Sequence, residues 1–200
     1  SSESLNFGDF NLSATEPVVV LGIIGWGIRA ARDRSLTIEW TRLALPAALF
    51  ILVMLVMLPQ VRERGMLLKD VLKWTEFLAV YLMAVNLISS RLQVVAIVVS
   101  LLVAGVAAAV HGWIQFVFKL GPEGYVFAQR FMRAFGTFGQ PNPYAGYLSI
   151  VALLPMAALF LRWRAGKWGK AETILLGVVG VLLSSVLLSL SRGAWLGLAV

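Results

Sequence analysis

The sequence predicts an all-α, polytopic transmembrane helical bundle, and three observations carry that prediction. Hydrophobic residues make up 60% of the chain and charged ones only 14%, against about a quarter charged in ordinary soluble domains. Mean hydropathy is +0.85. The charges gather in short stretches between apolar runs whose lengths approach the roughly 17–25 residues a helix needs to cross a bilayer. The chain is expected to form a single membrane domain over residues 1–200, with about six spans, the start of a seventh and short interfacial helices.

Composition also removes whole classes of function. There is no Cys, which excludes disulfides, thiolate metal sites and Cys nucleophiles. The single His leaves a structural zinc site short of nitrogen and sulfur ligands, and no metal or cofactor is expected. A net charge of +7 could suggest nucleic acid. The cations, however, sit in connectors between apolar runs, where they set topology and meet lipid phosphates. The expected partners are membrane lipids and not nucleic acid.

Residues 1–16 are polar and mixed and read as an exposed lead-in, without a Met or the basic region of a signal peptide. Pro17–Ile28 is a short apolar span, extended toward Ser13 or accommodated by thinning of the bilayer. Arg29–Arg42 is a basic connector, and Leu43–Leu58 a second span ending at Pro59. Gln60–Lys73 interleaves cations with apolar residues and reads as a segment lying along the interface, external in the favoured topology. Trp74–Ser90 then enters the bilayer, with Glu76 near its end. After a very short turn at Arg91, Leu92–Val110 is the cleanest of the early spans, running on through His111–Phe118 to Trp113 at an aromatic belt.

The longest connector, residues 119–142, is also placed outside. Pro143–Leu161 is an uncharged span, and Arg162–Lys170 a loop that mixes tryptophans with cations, read as an inner-face anchor. Thr173–Leu190 is the next span. A helix continued from Thr173 to Val200 would be about 42 Å long, well over a hydrocarbon core of about 30 Å. A break or re-entry is therefore expected near Arg192. The apolar run Gly193–Val200 stops at the last residue, and the chain is expected to continue beyond it.

Orientation is weakly set by charge. With the 119–142 connector outside, nine basic residues lie inside and eight outside. The outer set is Arg62, Arg64, Lys69, Lys73, Lys119, Arg130, Arg133 and Arg192. So many outward cations require an explanation, either a miscounted span or an anionic substrate on that face.

The stretch from Arg130 to Tyr147 concentrates groups suited to an anion. Phe127, Phe131 and Phe135 recur every four residues in Tyr125–Phe135, with Arg130 and Arg133 on another face, the pattern of a helix in the headgroup layer. Its arginines meet either ordinary lipid phosphates or a substrate. Gly136, Thr137 and Gly139 then form a tight loop with free backbone N–H groups, Asn142 is a good N-cap, and Pro143 a good first helical residue. That loop is either a capped turn or an anion cradle. Arg192, in a region otherwise without charge, must snorkel or find a partner. His111 is the only imidazole and reads as an interfacial hydrogen-bonding group or a general base.

Two runs also carry a resemblance. The order R-x-x-G-T-F-x-x-P-N-x-x-A-G-Y comprises Arg133, Gly136, Thr137, Phe138, Pro141, Asn142, Ala145, Gly146 and Tyr147. It is followed, after a span, a basic loop and another span, by L-S-R-G-A-W-L-G at Leu190–Gly197. Together they resemble the bacterial O-antigen ligase and polymerase family, more loosely over the rest of the chain. The resemblance implies a multi-pass, metal-independent glycosyltransferase of the bacterial inner membrane, active at its outer face in lipopolysaccharide or polysaccharide biosynthesis. It would move a glycan from undecaprenyl pyrophosphate to lipid A–core, a growing polysaccharide or a protein.

In that family arginines hold the pyrophosphate, and a histidine in a large external loop activates the acceptor. The arginine of the Ser-Arg-Gly motif matches Arg192, and Arg133 and Arg130 are expected to help, supported by Gly136, Thr137, Gly139 and Asn142. The large loop would follow Val200, and His111 does not match its histidine. A transporter, a lipid-linked glycan flippase and a non-catalytic scaffold of envelope assembly are the alternatives. The clean spans 92–110, 143–161 and 173–190 offer no midplane ionisable residue and argue against coupled ion transport.

Overall fold

In the computed structural model, residues 5–7, 10–12, 15–32, 39–128 and 130–199 are described, and they are mostly helical. The chain divides at the Ser90–Arg91 step into two compact units.

The first unit opens with a small hairpin. Strand β1 (Leu5–Phe7) pairs antiparallel with β2 (Phe10–Leu12) in the register Leu5↔Leu12, Asn6↔Asn11 and Phe7↔Phe10. The expected lead-in of residues 1–16 thus includes paired strands, and residues 1–4, 8–9 and 13–14 lie outside the described residues. Helix α1 spans Thr15–Arg32, longer at both ends than the expected span. Part of the connector that followed it, residues 33–38 with Arg34, also lies outside the described residues.

Helix α2 (Ala44–Met57) falls where Leu43–Leu58 was expected. Helix α3 (Arg64–Leu87) corrects a boundary, because the supposed interfacial segment and the following span are one helix. No Gly or Pro interrupts the chain between Gly65 and Leu87, so nothing stops propagation once the helix has begun. Glu76 consequently lies mid-helix. Helix α3 packs on both α1 and α2. A Cβ on Gly22 of α1 would come within 3.3 Å of the Met83 sulfur, and Phe50 of α2 meets Trp74 edge-on at 4.9 Å. The Asn86 Oδ1 accepts from the Glu39 N–H at 2.9 Å, and Thr41 and Tyr81 share a hydroxyl–hydroxyl hydrogen bond.

The second unit holds the long apolar helices. Helix α4 spans Arg91–Phe118, α5 Pro141–Arg164, α6 Lys170–Leu188 and α7 Arg192–Ala199. Among the described residues, α4, α5 and α6 are long and apolar enough to cross a membrane. That is three, where about six spans were expected. The apolar stretches of α1 and α2 (Pro17–Arg29 and Ala44–Met57) are shorter, and α3 carries Arg64, Lys69, Asp70, Lys73 and Glu76.

Tyr144, Leu148, Val151 and Ala152 of α5 form the middle of the core, against Ala109 of α4 and Leu182 and Val186 of α6. Small residues on α4 permit this approach. A methyl on Gly105 would lie 2.8 Å from Val151 Cγ1, and one on Gly112 would lie 2.7 Å from Tyr144 Cζ. Close van der Waals fit of this kind holds helices together where lipid removes the hydrophobic driving force.

The expected amphipathic helix over Tyr125–Phe135 is not formed. A 3₁₀ turn (Glu123–Tyr125) leads into strand β3 (Val126–Phe127), which pairs antiparallel with β4 (Phe131–Met132). The stretch between Gly124 and Gly136 is rich in aromatic, strand-favouring residues. Burial alternates with period two instead, with Met132 and Ala134 inward and Phe131 exposed.

Candidate functional site

A cleft of about 860 Å³ lies between α5 and α7, at the end of the bundle where both helices begin. Its walls are Gly146, Ser149, Ile150 and Leu153 of α5, with Ala194, Gly197 and Leu198 of α7. Phe127, Leu190, Ser191 and Gly193 complete the rim, together with the polar side chains of Arg133, Asn142 and Arg192. Among the described residues, no acidic one lines it. Cationic and amide groups thus gather at one end of an apolar groove, beside two helix N-termini whose dipoles also favour negative charge.

The break between α6 and α7 was expected near Arg192, and it occurs there. Leu190 adopts a left-handed conformation, φ +52°, which ends α6 and redirects the chain before α7. The carbonyls exposed at the end of α6 are then satisfied from several directions. The Ala134 N–H donates to Leu188 O at 3.0 Å, and the Ser189 hydroxyl donates to Val186 O at 2.6 Å.

Arg133 supplies the rest. Its Nε donates to Ser189 O at 2.9 Å, and its Nη2 to Leu190 O at 3.4 Å and Asn142 Oδ1 at 3.2 Å. The guanidinium is a cap on a helix C-terminus, where a cation is favoured. The two N–H groups of Nη1 have no hydrogen-bond partner among the described residues.

Asn142 is not the N-cap that the sequence suggested. Gln140 occupies that position, with Pro141, Asn142 and Pro143 as the first three helical residues. Prolines in the first turn lack the N–H groups a cap would satisfy, which leaves the Asn142 oxygen free for Arg133.

Gln115, buried near the end of α4, holds the loop that carries Arg133. Its Oε1 accepts from the N–H groups of Phe135 (3.2 Å) and Gly136 (2.8 Å), and its Nε2 donates to Gly136 O at 2.8 Å. The amide thereby acts as a short piece of sheet edge for a buried loop that would otherwise hold unpaired backbone groups. Gly136 is required there, since its φ is +55° and a Cβ would come within 2.6 Å of the Tyr144 ring. The Tyr144 hydroxyl reaches Ala108 O at 3.2 Å and shares a hydrogen bond with Ser185.

The remaining sequence-selected residues fall outside the cleft. Gly139 (φ +69°) takes part through its carbonyl, which accepts from the Tyr125 hydroxyl at 2.7 Å. Thr137 is exposed. Arg130 is exposed with its guanidinium 5.5 Å from the centre of the Phe131 ring. His111 is exposed on α4, with Nε2 3.5 Å from Gln115 Nε2.

The cleft therefore unites Arg192, Arg133 and Asn142, and omits Arg130, Gly136, Thr137 and Gly139. Arg192 makes no ion pair or hydrogen bond through its side chain among the described residues. Sequence reasoning missed Gln115, whose only signal was an amide in the apolar second half of α4, one turn after His111. It also missed the role of Ser189.

Fold and site together define a helical protein of membrane type, with an acid-free cationic cleft beside its three long apolar helices. In comparisons with known proteins, no family model, curated protein or solved structure matches the chain.

Proposed function

We propose that the cleft holds the pyrophosphate of an undecaprenyl-pyrophosphate-linked glycan, and that the protein transfers the glycan to an acceptor at the outer face of a bacterial inner membrane. The observation that carries the reading is Arg192, a guanidinium at the polar end of an apolar groove, without a partner or a neighbouring acid among the described residues. A lipid diphosphate has the complementary shape, with a doubly charged head and a hydrocarbon tail. The two motifs that resemble the O-antigen ligase and polymerase family meet at this place, since Arg133 and Asn142 come from the first and Arg192 from the second.

The reaction is a displacement at the anomeric carbon. An acceptor hydroxyl oxygen bonds to that carbon, and the bond to the pyrophosphate oxygen breaks with its electron pair. Arg192 neutralises the charge that develops on the leaving diphosphate, and the fork of a guanidinium suits phosphate oxygens. Arg133 contributes through Nη1 while its other donors hold the end of α6. Asn142 orients Arg133. The acceptor's proton passes to a base that is none of these residues, and His111 is not assigned that role. In this reading α1, α2 and α3 make the remaining passes of a six-span bundle, and α7 opens a seventh.

The test uses the full-length protein in vesicles with a lipid-linked glycan and its acceptor. Arg192→Ala is expected to lower transfer by about two to three orders of magnitude, the usual effect of removing a preorganised charge-stabilising group. Protease accessibility and unfolding should stay as in the wild type. Transfer at the wild-type rate would overturn the assignment.

A further inference from the structure

The opposite end of α5 carries a second cationic surface that the cleft does not use. Helix α5 closes in a Schellman turn, with Lys167 N–H on Arg162 O and Gly166 N–H on Trp163 O, each at 3.0 Å, and Gly166 at φ +66°. The turn leads into α6, whose first-turn Glu172 is buried and ion-paired to Arg162. The loop's acid is thus consumed internally. Arg164, Lys167 and Lys170 have no ionic partner among the described residues. Trp163 and Trp168 project beside them, 67% and 63% exposed, and Arg164 stacks over Phe160 at 5.9 Å.

We propose that this α5–α6 loop is a docking surface for the phosphate headgroups of anionic phospholipids. Two exposed indoles at the end of two membrane-length apolar helices belong at the headgroup level, where an amphipathic ring is best solvated. Three uncompensated cations at that depth concentrate anionic lipid. A cation stacked on an exposed ring also occurs in single-strand binding surfaces, but the apolar helices on both sides of this loop place a membrane against it. The inference is independent of the glycan-transfer reading.

The experiment reconstitutes purified full-length protein in phosphatidylcholine vesicles containing a minor share of brominated phosphatidylglycerol or brominated phosphatidylcholine. The quenching owed to the loop is the difference between wild type and Trp163→Phe/Trp168→Phe. Brominated phosphatidylglycerol is expected to quench this signal about tenfold more efficiently, a ratio that falls as salt is added. The ratio should drop toward one in Arg164→Gln/Lys167→Gln/Lys170→Gln and persist in the charge-retaining Arg164→Lys/Lys167→Arg/Lys170→Arg. Equal quenching by both lipids in the wild type overturns the proposal, whatever the variants do. A preference that survives neutralisation or salt, or release of the lipid by single-stranded RNA, overturns it as well.

Discussion

The two ends of α5 solve the same problem with different partners. At each end an arginine must be accommodated near the end of an apolar helix. At the loop end Arg162 is neutralised by a buried carboxylate, Glu172, so the pair carries no net charge. At the cleft end Arg133 is held by neutral carbonyls and an amide oxygen, so its positive charge survives. Arg192 adds a second charge that nothing in the described residues offsets. A guanidinium capped by carbonyls is fixed in place and still attracts an anion, whereas one paired with a carboxylate is chiefly a staple. The difference separates Arg162, a staple between α5 and α6, from Arg133 and Arg192, whose charges remain available to an anion as those of Arg164, Lys167 and Lys170 do at the loop end.

Changes on the two sides should therefore behave differently, and each can break the contrast. The largest stability effect is expected from Gln115→Leu, which leaves the half-buried amide of Phe135 and the buried amide of Gly136 without their acceptor. The cost should be about 3 kcal/mol, read from unfolding in mixed micelles, with a loss of transfer as Arg133 loses its support. Unchanged transfer would mean that the loop does not position the site.

Arg133→Met follows, removing the cap from the end of α6. A loss of about 2 kcal/mol is expected, with transfer reduced beyond what instability explains. Restoring transfer without restoring stability by Arg133→Lys would show that charge, and not capping, is what the cleft needs.

The smallest effect belongs to the loop end. Gly166→Ala forces a Cβ into the left-handed region and should cost about 1 kcal/mol, leaving transfer untouched. Impaired transfer in this variant would erase the distinction between the ends.

Much of the site was out of reach of local reasoning. Phe127, Phe131 and Phe135 recur with helical spacing, yet the segment pairs as strands, with Met132 and Ala134 entering the core. Asn142 beside two prolines has the look of a cap, but the helix already begins at Pro141, and the Asn142 oxygen accepts from Arg133 instead. Residues 64–87 looked like two segments because the charges thin out halfway, although charge alone does not end a helix.

The sequence by itself determined the apolar helices α2, α4, α5 and α6 and the break before Arg192, because hydropathy and helix length are properties of contiguous residues. Only the tertiary structure decided that Arg133 reaches Ser189, Leu190 and Asn142, that Gln115 holds the loop at Gly136, and that Arg192 lines an apolar groove with Arg133 and Asn142. Those arrangements join residues up to 57 positions apart. Their partners are chiefly backbone carbonyls and N–H groups, which every residue supplies alike, so no side-chain pattern announces them.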